Sequence, residues 1–284
     1  MEALRFYAKN SSSGHSFLIT GQDERSVTIL AEWFSRRAVC TSDGPEPCGS
    51  CSGCASVLRN DQQFVLTPER DDRGKYSIAA IRAIRANLQL LPAGTTQRVV
   101  FIPDAENLSL AAANALLKIL EEPGIRCRFV LASTQPLHVP ATVRSRTVRV
   151  FVQPVPIARM QEVLHQGGIA VGDVALLTKV FPGQLSRAWE CAHSPESLTA
   201  VKQYDRMATA LLNSALAERL HVVDVLLPGK TDAGQTRAVL GNFLACFAKH
   251  VPKTHLAHVL NTCRTLRTNA NPRLALESLF LSTL

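Results

Sequence analysis

The chain has 284 residues, 46% hydrophobic and 19% charged, with a formal net charge of +8. That length and apolar content provide for about two domains and exclude a disordered chain, while 15 Gly and 15 Pro without a period exclude a collagen-like one. No apolar run approaches the ~18 residues of a membrane span. Met1-Glu2-Ala3-Leu4-Arg5 carries an early acid and no apolar stretch behind it, so a cytoplasmic chain with no signal peptide and no membrane partner is expected. The excess of Lys and Arg, 31 against 23 Asp and Glu, fits work near a polyanion and equally an ordinary solvated surface.

Short β-rich runs alternate with helical patterns over residues 1–153. Strands are expected at Ser16–Thr20, Phe64–Thr67, Arg98–Ile102, Phe129–Ala132 and Thr147–Val152. Between them, Ile78, Ile81, Ile84, Leu88 and Leu91 recur at spacings of three or four, which puts them on one helix face. Leu108 to Glu122 is a second helix, rich in Ala and Leu and stopped by Pro123-Gly124. Strands alternating with helices predict a parallel sheet covered on both faces.

After Val152 the strand signals fade, and Pro154 and Pro156 form a natural linker because neither can donate to a ladder. A small helical unit is expected over 154–194, closed by the break His193-Ser194-Pro195. Amphipathic helices follow over 195–284, separated by Pro228-Gly229, Val251-Pro252 and Asn271-Pro272. There is no internal repeat.

Eight cysteines in a cytoplasmic chain should be reduced, so a cluster among them points to metal. Cys40, Cys48, Cys51 and Cys54 have the spacing C-x7-C-x2-C-x2-C. Four thiolates complete a tetrahedral zinc shell with no open position, which predicts a structural Zn2+ site. Incidental thiols or a redox pair are the alternatives, and two consecutive C-x2-C steps favour zinc. Cys127, Cys191, Cys246 and Cys263 read as buried residues. His255 and His258, at i and i+3, read as an ordinary helix surface.

Phe17-Leu18-Ile19-Thr20-Gly21 is a strand ending in Gly before a helix, where a phosphate-binding loop belongs. The motif G-x4-G-K-[ST], begun at Gly21, needs Gly at 26 and Lys at 27. The chain has Ser26, Val27 and Thr28 instead, with Asp23 and Glu24 placing negative charge where phosphates would lie. The residues argue that this chain binds no ATP. Arg98 to Asp104 looks like a Walker B strand, with Ala105 where a catalytic Glu would follow and Glu106 expected to turn the other way. Asp104 by itself reads as a helix N-terminal acid.

With these residues in view, the chain resembles the delta prime branch of the clamp-loader family of bacterial DNA polymerase III. The resemblance rests on His15-Ser16-Phe17-Leu18-Ile19-Thr20-Gly21, the four-cysteine insert, Ala111 to Pro123 (Ala-Ala-Ala-Asn-Ala-Leu-Leu-Lys-Ile-Leu-Glu-Glu-Pro), Leu137 to Arg146, and Asn271-Pro272-Arg273-Leu274-Ala275-Leu276-Glu277. It implies an AAA+ P-loop-type α/β domain over 1–153 with a zinc insert at 40–54, a helical lid domain over 154–194 and an all-α collar over 195–284. It implies membership of a hetero-pentameric ring with gamma/tau and delta subunits, which loads the sliding clamp onto primed DNA during replication. The ring is part of the DNA polymerase III holoenzyme, a DNA-directed DNA polymerase. The branch has lost ATPase activity, in agreement with Val27.

The family's Ser-Arg-Cys motif supplies an arginine to the ATP of a neighbouring subunit, and Ser145-Arg146-Thr147 stands in that place. Arg146, with Ser145, is therefore expected to act as an arginine finger in trans. Without the resemblance, Arg144 and Arg146 read as surface residues flanking a strand. Ser186 stands where active relatives carry a sensor arginine, and Arg187 reads as a solvated helix residue; so do Arg82 and Arg85, which could instead face DNA phosphates. Two alternatives stay open: an ATP-binding motor subunit of the gamma/tau kind, disfavoured by the missing Lys, and a zinc-containing nucleic-acid module without ring partners.

Overall fold

A computed structural model describes residues 16–44, 46–59, 64–89, 97–121, 127–212, 214–227, 233–266 and 270–283. Among the residues named above, Met1 to Arg5, His15, Leu91, Glu122, Pro123, Gly124 and Pro228-Gly229 lie outside that set. The chain divides into two compact units, residues 1–154 and 155–284.

The first unit is a five-stranded sheet in the order β2-β3-β4-β1-β5, parallel throughout. Its strands are β1 (Ser16–Thr20), β2 (Val65–Leu66), β3 (Arg98–Ile102), β4 (Cys127–Ser133) and β5 (Val148–Phe151). β1 and β4 are buried along their whole length, as central parallel strands must be when helices cover both faces. β2 is shorter than the expected Phe64–Thr67, and β4 is longer than Phe129–Ala132.

Alternation along the strands sorts the core into two layers. Phe17, Ile19, Val99, Val130 and Ala132 pack on α1 (Glu24–Val39) through Val27, Ala31, Phe34 and Ala38. Leu18, Val100, Ile102, Phe129 and Leu131 face α3 (Ile78–Gln89) and α4 (Leu110–Glu121), which contribute Ile81, Ile84, Ala112, Ala113 and Leu116. One residue along a strand reverses the face, so Phe17 and Leu18 belong to different layers. Ser77 and Ser109 start α3 and α4 by accepting from the N–H of Ala80 (3.2 Å) and Ala112 (3.1 Å). Between α1 and α3 lies α2 (Ser52–Arg59); the four-residue α5 (Ala141–Arg144) precedes β5.

The second unit is helical: α6 (Ile157–Gln166), α7 (Val171–Val180), α8 (Leu185–His193), α9 (Pro195–Leu211), α10 (Leu216–Leu226), α11 (Ala233–His250), α12 (Leu256–Thr265) and α13 (Pro272–Ser282). Two of the expected breaks are helix starts: Ser194 caps α9 and Asn271 caps α13, each with Pro at the first helical position, where its missing N–H costs nothing. One apolar cluster runs from Met160 and Leu177 through Phe243 and Phe247 to Leu276 and Phe280, joining helices of both the 154–194 and 195–284 segments.

Candidate functional site

The loop from β1 to α1 is three residues long, Gly21-Gln22-Asp23. Asp23 is buried and caps α1, its carboxylate accepting from the Ser26 N–H at 3.2 Å and from the Ser26 hydroxyl. The positive end of a helix attracts an anion, and here the chain's own carboxylate takes that place. Val27 is inside the first turn with its side chain buried; a Cβ added at Gly21 would lie 2.8 Å from Val27 Cγ2 and 3.0 Å from Val152 Cβ. Apolar packing fills the space beside the glycine, where an active phosphate loop keeps its lysine.

At the end of β3, Asp104 adopts φ 47°, the only positive φ among non-Gly described residues. Asp104 stands at the N-terminus of a 3₁₀ turn (Ala105–Asn107), the kind of place expected of it, but its side chain makes no capping hydrogen bond. Its carboxylate binds Arg70 Nη2 at 2.5 Å. Arg70 Nε donates to the Tyr76 hydroxyl at 3.2 Å, which donates to the Pro103 carbonyl at 2.6 Å, and the guanidinium lies 5.2 Å from the Tyr76 ring centroid. The expectation for Glu106 is corrected. β3 has ended before it, so strand alternation does not apply, and Glu106 accepts from Thr134 Oγ1 at 3.4 Å, just past β4. Arg70, Tyr76 and Thr134 carry no sequence signal of this, because each reaches its partner through the sheet order rather than through spacing.

The four expected zinc ligands come together. The sulfur atoms of Cys40, Cys48, Cys51 and Cys54 all lie within 4.8 Å of one another. Cys40 ends α1 in extended backbone, Cys48 and Cys51 lie on a loop turned by Gly49 at φ +75°, and Cys54 is buried in α2. Backbone N–H groups of Ser42 and Cys48 point at Cys40 Sγ, that of Cys51 at Cys48 Sγ, and that of Cys54 at Cys51 Sγ, each at 3.4 Å. Such donors favour the thiolate: those of Cys51 and Ser50 lower the Cys48 thiol to about 6. Burial instead pushes Cys54 up to about 12, so this thiol needs a cation to ionise. Four thiolates brought this close could hold a Zn2+ ion, for which Cys40, Cys48, Cys51 and Cys54 would supply all four ligands and leave none for substrate.

Gly53 is what lets α2 reach the end of α1: a Cβ there would meet the Val39 carbonyl oxygen at 2.4 Å. Gly53→Ala is expected to cost about 1–3 kcal/mol by overpacking and to lower zinc content, read by thermal melting with metal analysis. Of the remaining thiols, Cys127, Cys191 and Cys246 are buried as expected and Cys263 is half-buried; burial pushes Cys127 and Cys246 up to about 12.

Arg146 follows α5 and is exposed. Its Nε and Nη2 donate to Glu121 Oε1 at 2.7 and 2.6 Å, and Nη1 faces the Thr142 carbonyl at 3.4 Å and Ser145 Oγ at 3.5 Å. Ser145 Oγ donates to the Thr142 carbonyl at 2.9 Å. Thr147 turns its hydroxyl back to the Val143 and Arg144 carbonyls. Arg144 is half-buried, and its Nε is enclosed without a hydrogen bond among the described residues.

Arg82 and Arg85 are exposed on α3, as expected, and with Lys118 and Asn114 they line a groove of about 400 Å³ between α3 and α4. Arg187 is not simply solvated: it lies 5.0 Å from the Phe181 ring centroid and donates to Asn242 Oδ1 at 3.0 Å, tying α8 to α11. His255 and His258 do not share one helix. His255 closes a 3₁₀ turn (Lys253–His255), His258 lies in α12, and their rings are 6.1 Å apart. No helix among the described residues is long and apolar enough to cross a membrane.

The family described as "DNA polymerase III, delta subunit" matches residues 1–156, more than half of the chain. The chain belongs to this family. Among curated proteins it is 37% identical over 138 residues to the DNA polymerase III subunit delta' of Yersinia pestis, covering 46% of this chain and 39% of that protein. It is 34% identical over 136 residues to the DNA polymerase III subunit tau of Bacillus subtilis, covering 48% of this chain and 24% of that one. The match thus spans about a quarter of the tau protein. A DNA polymerase III gamma subunit-related protein from Thermotoga maritima superposes with TM-score 0.52 over 99% of this chain and 97% of its own, at 18% identity, which shows a shared fold. A parallel α/β unit followed by helices, in the DNA polymerase III delta subunit family, is what the fold and these relatives together establish.

Proposed function

We propose that this chain is a non-hydrolysing, delta-prime-type subunit of the clamp loader, which supplies Arg146 to the ATP held by a neighbouring motor subunit. The observation that carries the reading is one of contrast. The chain's own strand-to-helix loop is closed on the Asp23 carboxylate and the Val27 side chain, whereas Arg146 stands exposed beyond α5. A planar guanidinium offers N–H pairs to phosphate oxygens and stabilises the charge that develops on a transferred γ-phosphoryl group. Ser145 supports it from the preceding position. In this reading the partners are gamma/tau and delta subunits in a five-membered ring, the sliding clamp and primed DNA, in the cytoplasm at the replication fork. In this reading the lid is residues 154–194 and the collar residues 195–284, and the two share one apolar cluster. Cys40, Cys48, Cys51 and Cys54 hold a structural Zn2+ that fixes the insert between α1 and α2.

The similarity to tau keeps a second reading in view, that of an ATP-binding motor subunit. A calorimetric titration separates the two. The isolated chain is expected to show no ATP binding at micromolar concentrations, and micromolar affinity would overturn the non-hydrolysing reading. Val27→Lys alone should not create a site, because Asp23 still caps the helix and the new ammonium would enter the apolar layer around Phe17 and Ile19. It is expected instead to lower the melting temperature.

A further inference from the structure

We propose that Glu121 is the positioning residue for Arg146: it holds the guanidinium by the Nε–Nη2 edge so that the adjacent Nη1–Nη2 edge is offered to the terminal phosphoryl group of a neighbour's nucleoside triphosphate. This rests on the reading of Arg146 as an arginine acting in trans. An exposed arginine has four side-chain torsions and must be ordered before it can meet an anion in one geometry. Here the ordering is built into the chain. Glu121, the last residue of α4, accepts from Nε at 2.7 Å and from Nη2 at 2.6 Å with a single oxygen. At the remaining nitrogen, the Thr142 carbonyl and Ser145 Oγ stand 3.4 and 3.5 Å from Nη1. Those two contacts are long, so Nη1 keeps most of its donor capacity. Together with the second N–H of Nη2, it presents the two-pronged edge that matches phosphate oxygens.

The pair does little for the fold. Side-chain exposures of 41% for Arg146 and 51% for Glu121 put it in water, where ion pairs contribute little to stability. Its effect lies in orientation. Glu121 and Arg146 are 25 residues apart, so the contact ties the end of α4 to the segment that enters β5. The guanidinium therefore keeps a constant relation to two core elements, although it belongs to a surface turn.

The test uses the complex reconstituted with gamma/tau and delta subunits, reading DNA-stimulated ATP turnover and melting temperature. The turnover lost on Arg146→Ala defines the share that depends on the arginine. Glu121→Ala is expected to lower that share about three- to tenfold in kcat, with KM for ATP within twofold and the melting temperature unchanged. Glu121→Gln, whose amide oxygen still accepts from Nε, is expected to retain most of it, and Glu121→Ala added to Arg146→Ala should change nothing further. Wild-type turnover in Glu121→Ala beside a slow Arg146→Ala would overturn this inference and leave the arginine reading standing. Faster turnover in Glu121→Ala would show that the carboxylate competes with phosphate, and would overturn it as well. A well-folded Glu121→Gln as slow as Glu121→Ala would do the same. Wild-type turnover in Arg146→Ala would overturn the arginine reading itself.

Discussion

Arg146→Ala should lower ATP turnover at the one adjacent site by about 10³–10⁵, the range over which arginine fingers act in phosphoryl transfer. The fall in the ATPase of the whole complex should be smaller, because the other motor sites would keep their own arginines. The isolated variant should fold normally, since the side chain is exposed and its ion pair with Glu121 is a surface one. Arg146→Lys should be nearly as poor, because an ammonium is a point charge without the planar fork and cannot keep Glu121 on one edge while offering the other. Arg144→Ala is the control: it removes a neighbouring cation that lies half-buried rather than extended into solvent. Clamp loading and DNA-stimulated ATPase measured for both variants decide the matter, and equal wild-type rates would return Arg146 to the ordinary surface.

About one zinc per chain is expected in protein purified without chelator, and Cys48→Ser or Cys51→Ser should release it. Structural zinc bound by four ligands is worth about 10–16 kcal/mol in small zinc peptides at neutral pH, so losing it should unfold the insert outright. The damage should be local. The thiols hold the loop between α1 and α2, whereas the sheet is closed by Phe17, Phe34, Val99 and Val130 on one face and by Leu18, Phe129, Ile102 and Leu116 on the other. Hydrogen exchange should therefore rise over residues 40–59 while β1 and β4 stay protected. Metal analysis that finds no zinc, or loss of protection across the whole sheet, would contradict this account.

Much of this was readable from local pattern. β1 and β3 begin and end where their β-branched and aromatic runs do, because an apolar run bounded by turn residues can satisfy its backbone in few other ways. The thiol cluster was legible because the ligand spacing is short enough for the chain itself to close the ring. The departure at position 27 was legible because the phosphate-loop motif demands a lysine at that place in a helix start, where the structure buries Val27. The expected helix at Leu108 begins instead at Leu110, after a 3₁₀ turn, since Ser109 rather than an apolar residue satisfies the first free N–H groups.

What only the tertiary structure decided are the partners of the charges. Asp104 meets Arg70 across 34 residues, Glu106 meets Thr134 across 28, and Arg146 meets Glu121 across 25. None of these separations has a period that a strand or helix could impose. Each depends on β3 lying beside both β2 and β4 and on α4 ending next to α5, which is settled by which apolar faces pack together. Arg187 is a similar case, read as solvated until α11 brought Asn242 to it. A periodic pattern tells a residue which way to face within its own element. What it finds there is set by the packing of elements distant in the chain, because burial is gained by faces while hydrogen bonds and ion pairs are made between particular atoms.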